Sequence, residues 1–457
     1  MKWGACCLFV ILLCFSMPHS VNGGWHFVAP MPHGRYGHGA TLGPDGKIYV
    51  MGGMVFEVTE KRMLYKKYND GRYSSLVYDP EKDKWEYLEP VPGWIDAHYL
   101  YFFESDAGRW RRMRRVKAEE NCFEIDEGMG GPKRYLRDIR PEQLRATDID
   151  RQGNGAALVT GKDGTIYFLG GKGRWIDFGE AIVLPYDPLS STWPDVRPKR
   201  HYSTSTSYRI KTIYETDVPP MIDRRIDHEA VVTSDGKICV MGGYQRDRYE
   251  DDMGNVTGGT RYDVLDTVEC YDPKTKKWQY TKPLSTKRML FAAVVGPDDK
   301  IYVFGGAAGL STESSTPILD TTELFDPETD TWSRRTPMPA PRSGHVGVLG
   351  ADEKIYIMGG SSFVDGPPLN SVFVYDPAKN TWKEGPSMKR PRDTLAAVST
   401  PGGKIYAIGG TDVGAYEKKE TLNLFLRRKH ELYTGKVQDT VEVLDIREHE
   451  KKKHGWF

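Results

Sequence analysis

The sequence predicts an all-β chain built from one small antiparallel sheet repeated six times, on three observations. A strand-forming run ending in Gly-Gly recurs at residues 48–53, 166–171, 238–243, 301–306, 355–360 and 405–410. An aromatic or apolar run, an Asp-Pro and a Trp six residues after the Asp follow the first five: Asp79 and Trp85, Asp187 and Trp193, Asp272 and Trp278, Asp326 and Trp332, Asp376 and Trp382. An opener that starts with arginine precedes each run, as at residues 342–345. Fixed internal spacing repeated this often marks an array of supersecondary units.

Residues 342–388 show one unit. An apolar run follows the opener, and a turn at 351–353 leads to a second strand, 354–358, that stops at the glycines. A third strand, 371–375, stops at Asp376-Pro377, and a fourth starts near Trp382. Each run has strand length and β-branched or aromatic content. Asp45-Gly46, Asp163-Gly164 and Asp235-Gly236 suit tight turns, because glycine accepts positive φ. Proline lacks a donor and so ends the third strand. Four short strands expose both faces when alone, whereas radial repetition buries each sheet on its neighbours. The repeated Trp then reads as core between sheets.

The glycine doublet, the Tyr-Asp-Pro, the Trp at fixed distance and the Arg-x-x-His opener together resemble the kelch repeat, over nearly all of residues 24–445. The resemblance implies a six-bladed β-propeller. Phe103-Glu104 with Trp110 imitates the second phrase without a preceding glycine doublet, so that stretch reads as an insertion, not a seventh blade. The sixth repeat carries residues 441–445 but no matching Trp after them, while residues 25–32 copy 332–339. Residues 25–29 are therefore expected to supply the outer strand of the last blade, which closes the ring.

Residues 1–23 read as a signal peptide: Lys2, an apolar run over 5–15 too short to span a bilayer, and small residues at the cleavage spacing. No other stretch is long enough for a membrane span, and the expected location is secreted or periplasmic. Residues 446–457 read as a charged tail. Cys239 and Cys270 fall on neighbouring strands in register, as a disulfide or as two buried thiols. Asn255 heads a glycosylation sequon. With 63 Lys+Arg against 63 Asp+Glu, no global field steers the chain to nucleic acid or an anionic membrane.

Insertions fall at 54–72, 93–150, 195–224, 244–263 and 411–436. Each follows a glycine doublet or joins two blades, which up-and-down topology places on one face. That face is expected to bind, since elaborated loops on a rigid scaffold carry function. The openers supply Arg35, Arg151, Arg225, Arg288, Arg342 and Arg392. In kelch domains that recruit acidic peptides, arginines at such positions line the pocket, so the resemblance implies a cationic centre; bracing of neighbouring blades is the alternative. His38, His228 and His345 hold the fourth opener position, with Asn154, Phe291 and Leu395 in the other blades; this reads as packing, not as a metal site.

The basic run 109–117 precedes an acidic one and reads as a self-neutralising segment. The expected function is a scaffold recognising a protein or acidic glycan, with no cofactor. The alternative is an enzyme similar to sialic-acid mutarotases, with Asp223, Arg224, Arg225, Asp227 and Glu229 supplying acid, base and anion grip. A copper radical oxidase is disfavoured, for no Tyr is followed directly by His.

Overall fold

The computed structural model describes residues 24–56, 75–88, 100–104, 109–117, 122–125, 134–136, 144–145, 155–171, 181, 183–193, 197–202, 210–250, 256–309, 316–363, 366–412, 419–423, 428–432 and 437–453. Residues 1–23, Arg151 and Asn255 lie outside them, and so do the expectations attached to them.

Six antiparallel sheets form the blades. Blade one holds Gly34–Leu42, Ile48–Phe56, Ser75–Asp79 and Lys84–Tyr87 in sequential order. Blade two has three strands among the described residues, Ala157–Thr160, Ile166–Leu169 and Val183–Tyr186. Blades three, four and five repeat the four-stranded order, starting at Glu229–Val232, Ala292–Val295 and Ser343–Leu349. Blade six takes Ala396–Ser399, Lys404–Ile408 and Val441–Asp445 from the end of the chain and His26–Val28 from its start. The innermost strands of neighbouring blades touch in an unbroken cycle from blade one through blade six and back.

The core is six seams. Each buried apolar cluster draws on two adjacent blades, as where Tyr302, Phe304, Ile355 and Ile357 meet between blades four and five. Buried side chains of this size contribute about 1.5–3 kcal/mol each. The repeated tryptophans cap the seams, not fill them. Trp85, Trp278, Trp332 and Trp382 stay partly exposed and stack on the tyrosine or phenylalanine of the preceding strand, with centroids 4.8–5.3 Å apart. Each indole N–H donates to a linker carbonyl of the previous blade: Trp85 to Ala29 at 2.9 Å, Trp278 to Pro219 at 2.9 Å, Trp332 to Lys282 at 3.0 Å and Trp382 to Thr336 at 2.9 Å.

The ring closes at blade six. His26, Phe27 and Val28 pair with Val443, Glu442 and Val441. Trp25 is 4 % exposed, packs in the seam between blades five and six, and donates to the Pro386 carbonyl at 2.7 Å. It thus does for blade six what the other tryptophans do for theirs. Residues 446–453, expected as part of a charged tail, form the helix Ile446–Lys453; Asp445 caps it by accepting the Glu448 N–H at 3.1 Å.

Candidate functional site

The pairing pattern sorts the connections. In every blade, strands one and two are joined by a tight turn, such as residues 43–47 and 233–237. In blades one, three, four and five, strands three and four are joined equally tightly, as at residues 273–276 and 327–330. Antiparallel order places all these turns on one face. Links between strands two and three, and from blade to blade, emerge on the other. Every long insertion sits there. Three contain hairpins: Arg197–Tyr202 with Ile210–Glu215, Tyr244–Glu250 with Val256–Val264, and Lys419–Asn423 with Arg428–Leu432. A fourth contains a five-stranded sheet within residues 100–145.

The opener arginines do not line this face. Arg35, Arg225, Arg288, Arg342 and Arg392 are each at most 1 % exposed. Each donates from Nη1 to the carbonyl of the first glycine of its own doublet, seventeen residues on: Gly52 at 3.2 Å, Gly242 at 2.9 Å, Gly305 at 2.9 Å, Gly359 at 3.0 Å and Gly409 at 2.6 Å. The backbone carbonyl of the same arginine accepts the N–H of the second glycine in the preceding blade, as from Gly306 to Arg342 and Gly410 to Arg35. The residue type is thus used inward, against carbonyls that neighbouring sheets cannot pair. The expected cationic centre is replaced by a bracing element.

Three of the arginines also meet a buried carboxylate from the third strand. Arg225 pairs with Glu269 at 3.0 Å, Arg392 with Glu442 at 2.9 Å, and Arg288 with Glu323. In blade five Phe373 replaces the acid, and the Arg342 guanidinium lies 3.9 Å from its ring centroid, a cation–π contact in place of an ion pair. Burial pulls Arg35 and Arg342 down to about 10. The paired carboxylates reach further. Glu442 accepts the N–H groups of Lys389 at 2.6 Å and Arg390 at 3.1 Å, and Glu269 those of Ile222 at 2.6 Å and Asp223 at 3.1 Å. They fix the blade-to-blade links on the insertion-bearing face.

A second ring surrounds the axis. The N–H of Gly37 donates to Thr394, Thr394 to Gly344, Gly344 to Leu290, Leu290 to Asp227, Asp227 to Gly155 and Gly155 back to Gly37, at 2.8–3.0 Å. All six residues hold left-handed φ between 50° and 70°. Only glycine does so freely, so Asp227, Leu290 and above all the β-branched Thr394 are strained by the closure. Because Gly155 holds the third opener position, blade two's fourth position is Ala156, not Asn154. Its first is Gly153, two residues past Arg151, so blade two has no opener arginine.

The three histidines pack as expected between blades. The ring edges of His38, His228 and His345 lie over the first glycine of the preceding doublet, Gly409, Gly170 and Gly305, where a side chain would collide. His345 Nε2 sits 3.1 Å from the Phe304 carbonyl. Burial and the neighbouring arginines pull all three down to about 3, which keeps them neutral. No cluster of three metal-ligating side chains occurs among the described residues.

Of the acids proposed for mutarotase-type chemistry, Asp223 is engaged by neighbouring side chains. Asp223 accepts from Arg225 at 3.1 Å, Thr267 at 2.5 Å and Tyr280 at 2.9 Å, and Arg225 is sealed off. Of the two arginines in that set, Arg225 is buried away from any anion and Arg224 is exposed. Sequence reading missed Asp393, which lies in the second opener position of blade six and accepts from Ser361 Oγ at 3.3 Å. Desolvation, with Asp227 adding repulsion, pushes it up to about 7. Desolvation alone pushes Glu229 up to about 8. No spacing rule separates these acids from ordinary surface carboxylates.

Cys239 and Cys270 face each other across adjacent strands and their sulfurs are bonded, 2.07 Å apart. In blades one, two, four and five the residue at the Cys239 position is a tyrosine whose hydroxyl donates to a turn aspartate: Tyr49 to Asp45, Tyr167 to Asp163, Tyr302 to Asp298 and Tyr356 to Asp352. Blade three holds a covalent tie where the others hold a hydrogen bond. No helix among the described residues is long and apolar enough to cross a membrane.

Residues 34–92 match the family model of the Kelch motif, and residues 254–431 that of the KLHDC2/KLHL20/DRC7 Kelch-repeats domain. Kelch-like protein 26 of Danio rerio is 25 % identical over 253 residues, 50 % of this chain and 39 % of that protein. Alpha-scruin of Limulus polyphemus is 30 % identical over 299 residues, 64 % of this chain and 28 % of that protein. Beta-scruin of the same organism is 36 % identical over 135 residues, 29 % of this chain and 13 % of that protein. The matches thus span less than half the length of each relative.

Proposed function

Because this chain belongs to the kelch-repeat family, we propose that it is a binding scaffold whose insertion-bearing face recognises a partner protein. One observation carries the reading: all the long insertions leave the ring on one face, over links held by buried carboxylates, while the opposite face keeps, among the described residues, tight turns and the single helix Ile446–Lys453. A rigid support under elaborated loops is the usual arrangement of a binding surface.

We place the protein in a secreted or periplasmic location. The apolar stretch at residues 5–15 and the Cys239–Cys270 bond support that placement, since such bonds persist in oxidising compartments. An acidic glycan is the second ligand class; its sequence support is the basic run at residues 109–117, which the acidic residues directly after it offset.

The test uses the mature chain and a variant in which the Tyr244–Val264 segment is cut to a short turn. Both are presented to an extracellular protein extract and to an array of acidic glycans. Equal thermal stability with loss of one captured protein in the trimmed variant supports the reading. Identical capture by this variant and by others with the remaining insertions trimmed would overturn it.

A further inference from the structure

The residue two positions after the repeated Trp lies toward the insertion-bearing end of each outer strand. Three blades put an exposed aromatic there: Phe27, Tyr87 and Tyr280. Each stands beside a blade-to-blade link. In blade one the Tyr87 hydroxyl meets His33 Nε2 at 3.2 Å, and in blade three the Tyr280 hydroxyl donates to Asp223 at 2.9 Å. Blade six differs. Phe27 has no hydroxyl and is 46 % exposed, and the link residues beside it are both cations. Lys389 Nζ lies 6.0 Å and the Arg390 guanidinium 5.8 Å from its ring centroid.

Two features make this more than a surface coincidence. The cations are prepositioned, because their backbone N–H groups are held by Glu442, itself locked to Arg392. Neither cation has an ion-pair partner among the described residues. At His26 the field of Lys404 and Lys389 is opposed by Glu448, while the nearby Glu442 is paired with Arg392 and Asp83 accepts the Ala29 N–H. Among the described residues the strand His26–Val28 is outermost in its sheet, so its outer edge offers backbone hydrogen bonds to an extended segment.

We propose that Phe27, Lys389 and Arg390 form a docking site for an extended acidic peptide segment that carries an aromatic or aliphatic side chain beside its carboxylates. The carboxylates pair with the two cations, the apolar side chain covers the open face of Phe27, and the peptide backbone runs along the His26–Val28 edge. The outer strand edge favours a peptide over a lipid headgroup or a nucleic acid, which have no amides to pair with it. The assignment rests on the scaffold reading only in taking the same face as the working surface.

The probe is a fluorescein-labelled peptide of alternating glutamate and tryptophan, with a lysine-tryptophan peptide and phosphatidylserine vesicles as comparisons. The mature chain binds the acidic peptide and not the basic one. The double variant Lys389→Glu/Arg390→Glu weakens binding by at least about tenfold, near 1.4 kcal/mol. Phe27→Ala weakens it comparably, Phe27→Tyr preserves it, and melting temperatures stay unchanged. Trimming the Tyr244–Val264 segment leaves peptide affinity intact, so a failure of the insertions as the working surface and a failure of this patch give different results. No binding by the mature chain, equal binding by the charge-reversed variant, or preference for the vesicles would each overturn the proposal.

Discussion

Arg342 donates through Nη1 to the carbonyl of Gly359 at 3.0 Å, seventeen residues away in the same blade. Its own carbonyl accepts the Gly306 N–H of the blade before at 2.8 Å. One residue type therefore ties five of the six blades to themselves and to their neighbours, and this explains both halves of the repeat: why the opener carries arginine and why the strand ends in two glycines. The glycines adopt positive φ and leave room for the next blade's backbone to approach.

The arginines are not equivalent in what their loss exposes. Arg392→Met leaves Glu442 buried without its counter-charge, which costs about 3–5 kcal/mol. Arg342→Met removes the guanidinium donor from the Gly359 carbonyl and leaves the Ser371 carbonyl with only the Gly359 N–H, at a cost of about 1–3 kcal/mol. Calorimetry of the two variants is expected to rank Arg392→Met as the less stable. The reverse order would mean that the ion pair contributes little beyond packing.

Gly305 holds φ of 59°, and a Cβ there would lie 2.6 Å from the Arg342 carbonyl. Gly46 holds φ of 77° with nothing within 4 Å of a Cβ. Gly46→Ala meets only the conformational penalty, about 1 kcal/mol, whereas Gly305→Ala adds a backbone collision between blades and costs about 3 kcal/mol or more. Comparable losses of melting temperature would refute the seam contact as the reason for the doublet.

Asp393 titrates near 7 when folded, against 3.8 as its ordinary value. A carboxyl raised on folding binds its proton more tightly in the folded state. Its unfavourable contribution is therefore absent near pH 4, grows as pH rises through that window, and is constant above about 7. Asp393→Asn removes the titration. It is expected to match the parent near pH 4 and to exceed it by about 1–3 kcal/mol above pH 7, because the side chain is partly buried. Parallel stability–pH curves for the two proteins would contradict this.

The Cys239–Cys270 bond closes a loop with a sequence separation of 31. A loop of that size gives a stabilisation of about 3–4 kcal/mol by restricting the unfolded chain. Cys239→Ser/Cys270→Ser, or the parent under reducing agent, should melt lower by the corresponding amount. Equal melting points in oxidised and reduced buffer would show that the bond bears no load.

The ring was legible in residues 48–53 and their five copies, because strand, turn and doublet are local signals repeated at fixed spacing. Its closure was legible because residues 25–32 copy 332–339. The use of the arginines was not. An arginine that grips a ligand and one that grips a glycine carbonyl have the same one-dimensional surroundings, and only the path of the neighbouring blade decides between them. Blade two's opener was misplaced by two residues because the insertion at 93–150 runs up to it and leaves no upstream landmark. Counting seventeen back from Gly170 reaches Gly153, and the same count from the other five first glycines reaches an arginine each time. The Cys239–Cys270 contact needed only strand register, whereas the raised acids Asp393 and Glu229 depend on how deeply the axis is desolvated, which no spacing encodes.

The closed ring stands or falls with its first strand. Calorimetry of a chain beginning at Gly34 tests this most directly, since it lacks Trp25, the strand His26–Val28 and Met31 while every other blade is whole. Loss of the cooperative transition, or a fall in melting temperature far beyond that of any single substitution above, is the expected result. A transition matching that of the chain beginning at Gly24 would contradict the account.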